Sequence, residues 1–169
     1  KIMRYERIKD IFEFRMSDPE HLKDIIGSAI DQGYKKNWYL HASNEQTTSI
    51  SRDNNKWLRL DILQNFVRKE YYNITKAECE VRTKDLWINI YRPGGIQNSH
   101  VHSFGDDNIL ASWVYFAEVP ENSGNLIADG IQYGNEGTLL LFPSTLYHHV
   151  TKNKSQLTRI TVAGNIIRC

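Results

Sequence analysis

The hydrophobic pattern changes character near the middle of the chain. From Asp18 onward, Leu22, Ile25, Ile26 and Ile30 recur at helical spacing and share one face. Asp18-Pro19-Glu20 places a capping carboxylate before a proline at the first helical position, and Gly33 supplies a stop. A second helix is expected to open at Asp53 or Asn54, to present Leu58, Leu60, Ile62, Leu63 and Phe66, and to fade between Tyr71 and Asn73. Between these signals the first half reads as helical, although Tyr5 to Arg15 fits an early strand better than a helix.

From Glu78 the period shortens to strands and turns. Glu78 to Tyr91 mixes alternation with β-branched and aromatic residues and ends at the turn Pro93-Gly94-Gly95. Leu110 to Val119 is a long strand signal closed by Pro120-Glu121-Asn122-Ser123-Gly124. Asn125 to Ala128 and Gln132-Tyr133 are short strands around Asp129-Gly130, and Thr138 to Phe142 is a continuous apolar run suited to burial on both faces. Leu157 to Ile167 closes the series. Helices followed by many short antiparallel strands predict a mainly β protein with N-terminal helices, a sandwich or jelly roll carrying its helices outside.

Length and charge narrow the picture without changing it. With 169 residues and no repeat or linker, the chain is expected to be one domain, residues 1–77 as largely helical support and 78–169 as the β core. Lys+Arg 21 against Asp+Glu 20 leaves a net charge of +1, which argues against DNA, RNA or an anionic membrane surface as partner. The chain has no apolar stretch of the ~20 residues that a membrane helix requires. The opening residues show no secretory pattern, and Cys79 and Cys169 make no disulfide framework, so a reducing, cytoplasmic setting is expected.

The candidate chemistry lies in the second half. His100 and His102 flank Val101, and two imidazoles at i and i+2 of a strand point to one face. A third histidine follows at His148 or His149, neighbours that would face opposite ways on a strand. Three imidazoles with open positions left on the ion describe a catalytic metal site rather than a structural one. In Leu157 to Ala163, alternation sends Arg159, Thr161 and Ala163 to one face. If that face looks inward, the guanidinium needs an anionic partner, which a carboxylate ligand would supply; if it looks outward, Arg159 is an exposed edge residue.

From about Leu86 to Asn165 the chain resembles the Fe(II)- and 2-oxoglutarate-dependent oxygenases, in particular a small prolyl-hydroxylase-like group common in phages and marine bacteria. The resemblance is carried by Trp87-Ile88-Asn89-Ile90-Tyr91, Arg92-Pro93-Gly94-Gly95, Ser99-His100-Val101-His102, Trp113-Val114-Tyr115-Phe116, Pro120 to Gly124, Leu141-Phe142-Pro143-Ser144, His148 to Val150, and Arg159 to Asn165. The first 85 residues agree only in being helical. The resemblance implies a double-stranded β-helix, a cupin-like barrel. It implies Fe(II) as metal and 2-oxoglutarate and O2 as cosubstrates, with release of succinate and CO2 and ascorbate as an accessory reductant. It places His100 and His148 as metal ligands, Arg159 with Thr161 at the cosubstrate's C5 carboxylate, Tyr115 beside that carboxylate, and Tyr91 in the iron pocket. Trp113 reads as core.

One position departs from the family pattern. His102 stands where an aspartate or glutamate is usual, so the third ligand is His102 itself, water, or Asp106 or Asp107 reaching back. The leading expectation is a hydroxylase acting on a small molecule or a peptide side chain, in the cytoplasm of a cell or of a phage host. The alternatives are a three-histidine cupin-type dioxygenase or isomerase that ignores 2-oxoglutarate, and a non-catalytic jelly-roll binding or phage structural domain. No readable motif marks the substrate elements, which would be the N-terminal helices, the Ser103 to Asn108 loop and the Gly130 to Gly137 turn, or the oligomeric state.

Overall fold

The computed structural model describes residues 6–35, 40–42, 47–50 and 60–169. Strand β1 (Phe12–Arg15) precedes helix α1 (Pro19–Lys35). Two short strands, β2 (Leu40–Ala42) and β3 (Thr47–Ile50), come before helix α2 (Asp61–Thr75). The second half contributes β4 (Leu86–Tyr91), β5 (Gln97–His100), β6 (Ile109–Glu118), β7 (Leu126–Ala128), β8 (Ile131–Tyr133), β9 (Thr138–Phe142), β10 (His148–Val150) and β11 (Arg159–Ile167). Among the described residues, no helix is long and apolar enough to cross a membrane.

The strands form two antiparallel sheets. The larger runs β1-β9-β6-β11-β4-β3-β2, and the smaller runs β5-β10-β7-β8. On one face of the larger sheet, Trp113, Tyr115, Leu139, Leu141, Val162 and Ile166 pack against Leu22, Ile26, Leu63, Val67 and Tyr71 of the helices. The opposite face presents Val114, Phe116, Leu140, Phe142 and Ala163 to Leu126 and Ala128 of the smaller sheet. Period-two alternation along β6, β9 and β11 therefore separates a helix-facing core from an interior between the sheets. Gly164 belongs to this close packing, because a Cβ there would lie 2.7 Å from the Trp113 ring and 2.6 Å from the Asp85 carbonyl oxygen.

Several local signals hold. Asp18 accepts a hydrogen bond from the His21 amide, as an N-cap should. Asp129 and Gly130 both take positive φ, 50° and 73°, in the β7–β8 hairpin, the mirror-image turn that this dipeptide favours.

Three expectations are corrected. Helix α1 passes through Gly33 and continues to Lys35, since one glycine in a helix costs only about 1 kcal/mol relative to alanine. The predicted strand from Glu78 is not continuous: Glu80 makes an isolated bridge to Ile167, a 3-10 turn covers Thr83–Asp85 held by an Arg82–Asp85 ion pair, and only Leu86–Tyr91 is ladder. The first half is also not purely helical: β1 bears out the early strand expected within Tyr5 to Arg15, whereas β2 and β3 were not expected, and all three join the larger sheet. β1 pairs with β9 and β3 with β4, partners distant in sequence that local periodicity does not reveal. In α2 the buried stripe is Leu63, Gln64, Val67 and Tyr71, with Ile62 39% exposed. The expected start at Asp53 or Asn54, and Leu58, lie outside the described residues.

Candidate metal centre and anion pocket

Cross-strand pairing sets two of the three histidines. His148 on β10 sits directly opposite His100, the last residue of β5, and opposite Ala128 on its other side. Directly opposed residues hold their Cβ atoms about 5 Å apart, close enough for both rings to reach one ion. The adjacent choice is also settled in space, since His148 is 2% exposed while His149 faces out.

His102 arrives by a different route from the expected one. It lies beyond the end of β5 on a bend rather than at i+2 of a regular strand. The bend is anchored because the His102 and Ser103 amides both donate to the Ser144 carbonyl oxygen. The ring then packs 5.2 Å from Trp87 and edge-on to Phe142, 5.5 Å between centroids. Phe142 also meets His148 edge-on at 4.9 Å.

The three rings converge: one ligating nitrogen from each of His100, His102 and His148 lies within 4.8 Å of the others. Nitrogens about 2.1 Å from a shared ion stand about 3.0–3.4 Å apart, inside this limit. Each Nδ1 is already engaged, by the Asn98 carbonyl oxygen at 2.8 Å for His100, the Leu146 carbonyl oxygen at 2.9 Å for His148, and Asn165 Oδ1 at 3.1 Å for His102. All three partners are acceptors, so each Nδ1 carries the hydrogen and each Nε2 keeps a lone pair for a metal. Neither Asp106 nor Asp107 joins the cluster: Asp107 pairs with Arg7 at 2.6 Å, and Asp106 accepts from the Asn108 amide.

Burial favours the neutral forms of His102 and His148. Desolvation first, then the neighbouring His148 ring, pushes the His102 pKa down to about 3, and desolvation lowers that of His148 to about 4. Both values lie below the ordinary histidine value near 6.5, so between these limits the unfolded chain binds more protons than the folded one. Stability of the metal-free protein should therefore fall as pH drops below about 6.5, by up to about 1.4 kcal/mol per pH unit for each group. Urea unfolding between pH 7 and pH 4.5 measures this, and a flat profile would contradict the burial of neutral rings.

Arg159 opens β11 opposite Tyr91 of β4 and is fully buried. Its guanidinium carbon lies 5.2 Å from the Tyr91 ring and 5.6 Å from Phe116, yet Nε, Nη1 and Nη2 have no hydrogen-bond partner among the described residues. Burial lowers its pKa from the ordinary arginine range. Desolvating a cation costs several kcal/mol, which two aromatic faces, at on the order of 2 kcal/mol each, offset only in part. A side chain in this state can be satisfied by an anion placed beside it. The alternation read along β11 is borne out, because Arg159, Thr161 and Ala163 all line the pocket that contains His100, His102 and His148.

That pocket lies between the two sheets. Tyr91 lines it and donates its hydroxyl to Gln97 Oε1 at 2.9 Å. Tyr115 does not line it. Its side chain lies on the opposite face of β6 in the helix-facing core, and Phe116 takes the inward place beside Arg159. The expected position was one residue off, which in a strand reverses the face. Trp113 is core, as expected. Asn89, Gln97 and Trp87 were not singled out individually, although alternation from Tyr91 along β4 reaches both Asn89 and Trp87.

Similar proteins share this architecture. A prolyl-4-hydroxylase from Pseudomonas putida aligns with TM-score 0.67 and 16% identity over 95% of this chain and 94% of its own. A viral collagen prolyl hydroxylase from Paramecium Bursaria Chlorella virus-1 gives 0.67 and 15% over 98% and 97%. The non-heme alpha-ketoglutarate-dependent carbocyclase SnoK gives 0.75 and 11% over 94% and 79%. The fold is that of the 2-oxoglutarate/Fe(II) oxygenases. Residues 128–165, which include His148, Arg159 and Thr161, match the 2OG-Fe(II) oxygenase family model, so the oxygenase resemblance and the double-stranded β-helix read from the sequence are borne out. No relative among curated proteins matches the sequence.

Proposed function

We propose that residues 1–169 form a single 2-oxoglutarate-dependent oxygenase domain that hydroxylates a small molecule or a peptide side chain. The observation that carries this reading is the buried Arg159 guanidinium, without a hydrogen-bond partner among the described residues, in one pocket with three imidazoles. In this reading His100, His102 and His148 hold Fe(II) through Nε2, and Arg159 receives the distal carboxylate of 2-oxoglutarate as a paired anion. Fe(II) with 2-oxoglutarate supplies the O2-dependent oxidation, with succinate and CO2 released. Thr161 and Tyr91 border the same anion, the Tyr91 hydroxyl pre-set by Gln97 and Thr161 Oγ1 contacted by Asn89 at 3.4 Å. Val114, Phe116, Leu126 and Val150 wall the pocket and keep water from the cation and its partner.

A prolyl hydroxylase from Trichoplax adhaerens with a comparable fold, TM-score 0.68 at 14% identity over 93% of this chain and 83% of its own, is described in complex with a peptide fragment of a hypoxia inducible factor. That precedent keeps peptide side chains beside small molecules as the substrate class. Cys79 and Cys169 form no disulfide among the described residues, which suits a reducing cytoplasm where Fe(II) persists. A three-histidine cupin-type reaction without 2-oxoglutarate is favoured by His102 and opposed by Arg159. The test is succinate release with Fe(II), O2 and ascorbate over a panel of peptides and small metabolites. Succinate above the protein-free background supports the proposal. Metal-dependent turnover with no 2-oxoglutarate consumption would replace it with the cupin-type reading.

A further inference from the structure

The three histidines are not held alike. For His100 and His148, Nδ1 donates to the backbone carbonyl two residues earlier, so strand and turn geometry orient those rings whatever side chains surround them. For His102, Nδ1 meets a side chain, Asn165 Oδ1 at 3.1 Å. Asn165 is the next pocket-facing step of β11 after Arg159, Thr161 and Ala163. Its cross-strand partner on β6 is Ser112, fully buried, whose Oγ donates to the same Asn165 Oδ1 at 2.8 Å. Two donors from different elements therefore converge on one amide oxygen.

We infer that Asn165, steadied by Ser112, is the positioning residue that makes His102 a metal ligand; the inference rests on the three-histidine reading above. The resemblance puts an acid at position 102, where either carboxylate oxygen binds a metal and no tautomer needs choosing. A histidine there works only if the hydrogen sits on Nδ1 and Nε2 faces the ion. An amide oxygen beside Nδ1 enforces that choice, whereas an amide nitrogen there would invert it. Ser112, donating from the other side, holds the oxygen in place. Acceptors behind ligating histidines typically change metal affinity about 10- to 100-fold when removed.

The experiment measures Co(II) affinity and the visible ligand-field spectrum of the Co(II) protein without cosubstrate, for wild type, His102→Ala, Asn165→Leu, Asn165→Asp and Ser112→Ala. Asn165→Leu should bind about 10- to 100-fold more weakly, towards His102→Ala, with a spectrum altered in the same sense. Asn165→Asp keeps an acceptor and adds negative charge, so it should bind at least as tightly as wild type. Ser112→Ala should weaken binding a few-fold. Melting of the metal-free proteins separates a folding defect from loss of orientation. If Asn165→Leu does not fold, the aspartate and Ser112 variants decide.

The positioning role is overturned if Asn165→Leu matches wild type while His102→Ala is weak, or if a folded Asn165→Asp is as weak as His102→Ala. A different result would defeat the underlying reading instead: wild type binding no equivalent of Co(II), or His102→Ala binding as tightly as wild type.

Discussion

Replacing Arg159 with methionine is expected to weaken 2-oxoglutarate binding by about 10²–10⁴-fold while making the metal-free protein more stable. The first effect follows from losing a pair of charged hydrogen bonds at about 1.5–3 kcal/mol each, with 1.4 kcal/mol per tenfold in affinity. The second follows from the resting state of the side chain, fully buried with all three guanidinium nitrogens unpartnered among the described residues. Methionine fills similar space with no charge to desolvate, and replacing buried charge by apolar atoms has raised stability by about 1–4 kcal/mol elsewhere. Calorimetric titration of 2-oxoglutarate and urea unfolding of both proteins test the pair of effects. Unchanged cosubstrate affinity would remove the basis for the oxygenase proposal. Lower stability with lower affinity would mean that Arg159 is structurally paired in a way the pocket does not display.

Removing His148 should have the other large effect. Its ring is 2% exposed, faces His100 across the β5–β10 pair, and packs edge-on against Phe142. His148→Ala takes one of three neutral donors from the ion, a deeper loss than the about 10- to 100-fold seen when a ligand's supporting acceptor is deleted. Metal affinity should drop more than about 100-fold and turnover should vanish with it. A second readout is independent of metal. The His148 pKa, lowered to about 4, makes the ring one source of acid sensitivity in the metal-free protein. In the alanine variant the slope of stability against pH below about 6.5 should be shallower by up to about 1.4 kcal/mol per unit. Titration with Co(II) and unfolding across pH read both. Wild-type metal affinity in the variant would show that the three-ring convergence does not bind the ion.

Much of the site was legible because its residues repeat at short range. Along β11, Arg159, Thr161 and Ala163 face the pocket as alternation says, and one more step reaches Asn165. Along β6 the resemblance placed Tyr115 beside the carboxylate, whereas Tyr115 lies in the helix-facing core and Phe116 turns inward. Nothing local distinguishes those two faces, since β6 is apolar on both and buried at Trp113, Val114, Tyr115 and Phe116 alike. Such a strand has no polar side to mark its orientation.

Elements formed by partners far apart in sequence were harder to read. β2 and β3 extend the larger sheet only because β4 offers an edge to β3. The His102 bend depends on the Ser144 carbonyl, 42 residues away by 144 − 102.

The sequence by itself determined the class of architecture, the two helices, most of the strands after Leu86, the histidine and arginine candidates and their likeness to one oxygenase family. These rest on periodicity, turn chemistry and consecutive motifs, which are properties of neighbours along the chain. Tertiary structure alone decided that Tyr115 stands apart from the pocket, that Asp106 and Asp107 are engaged elsewhere, and that Arg159 lies buried with no hydrogen-bond partner among the described residues. Each is a question of which face of a strand meets which other strand, and that is set by packing between distant segments.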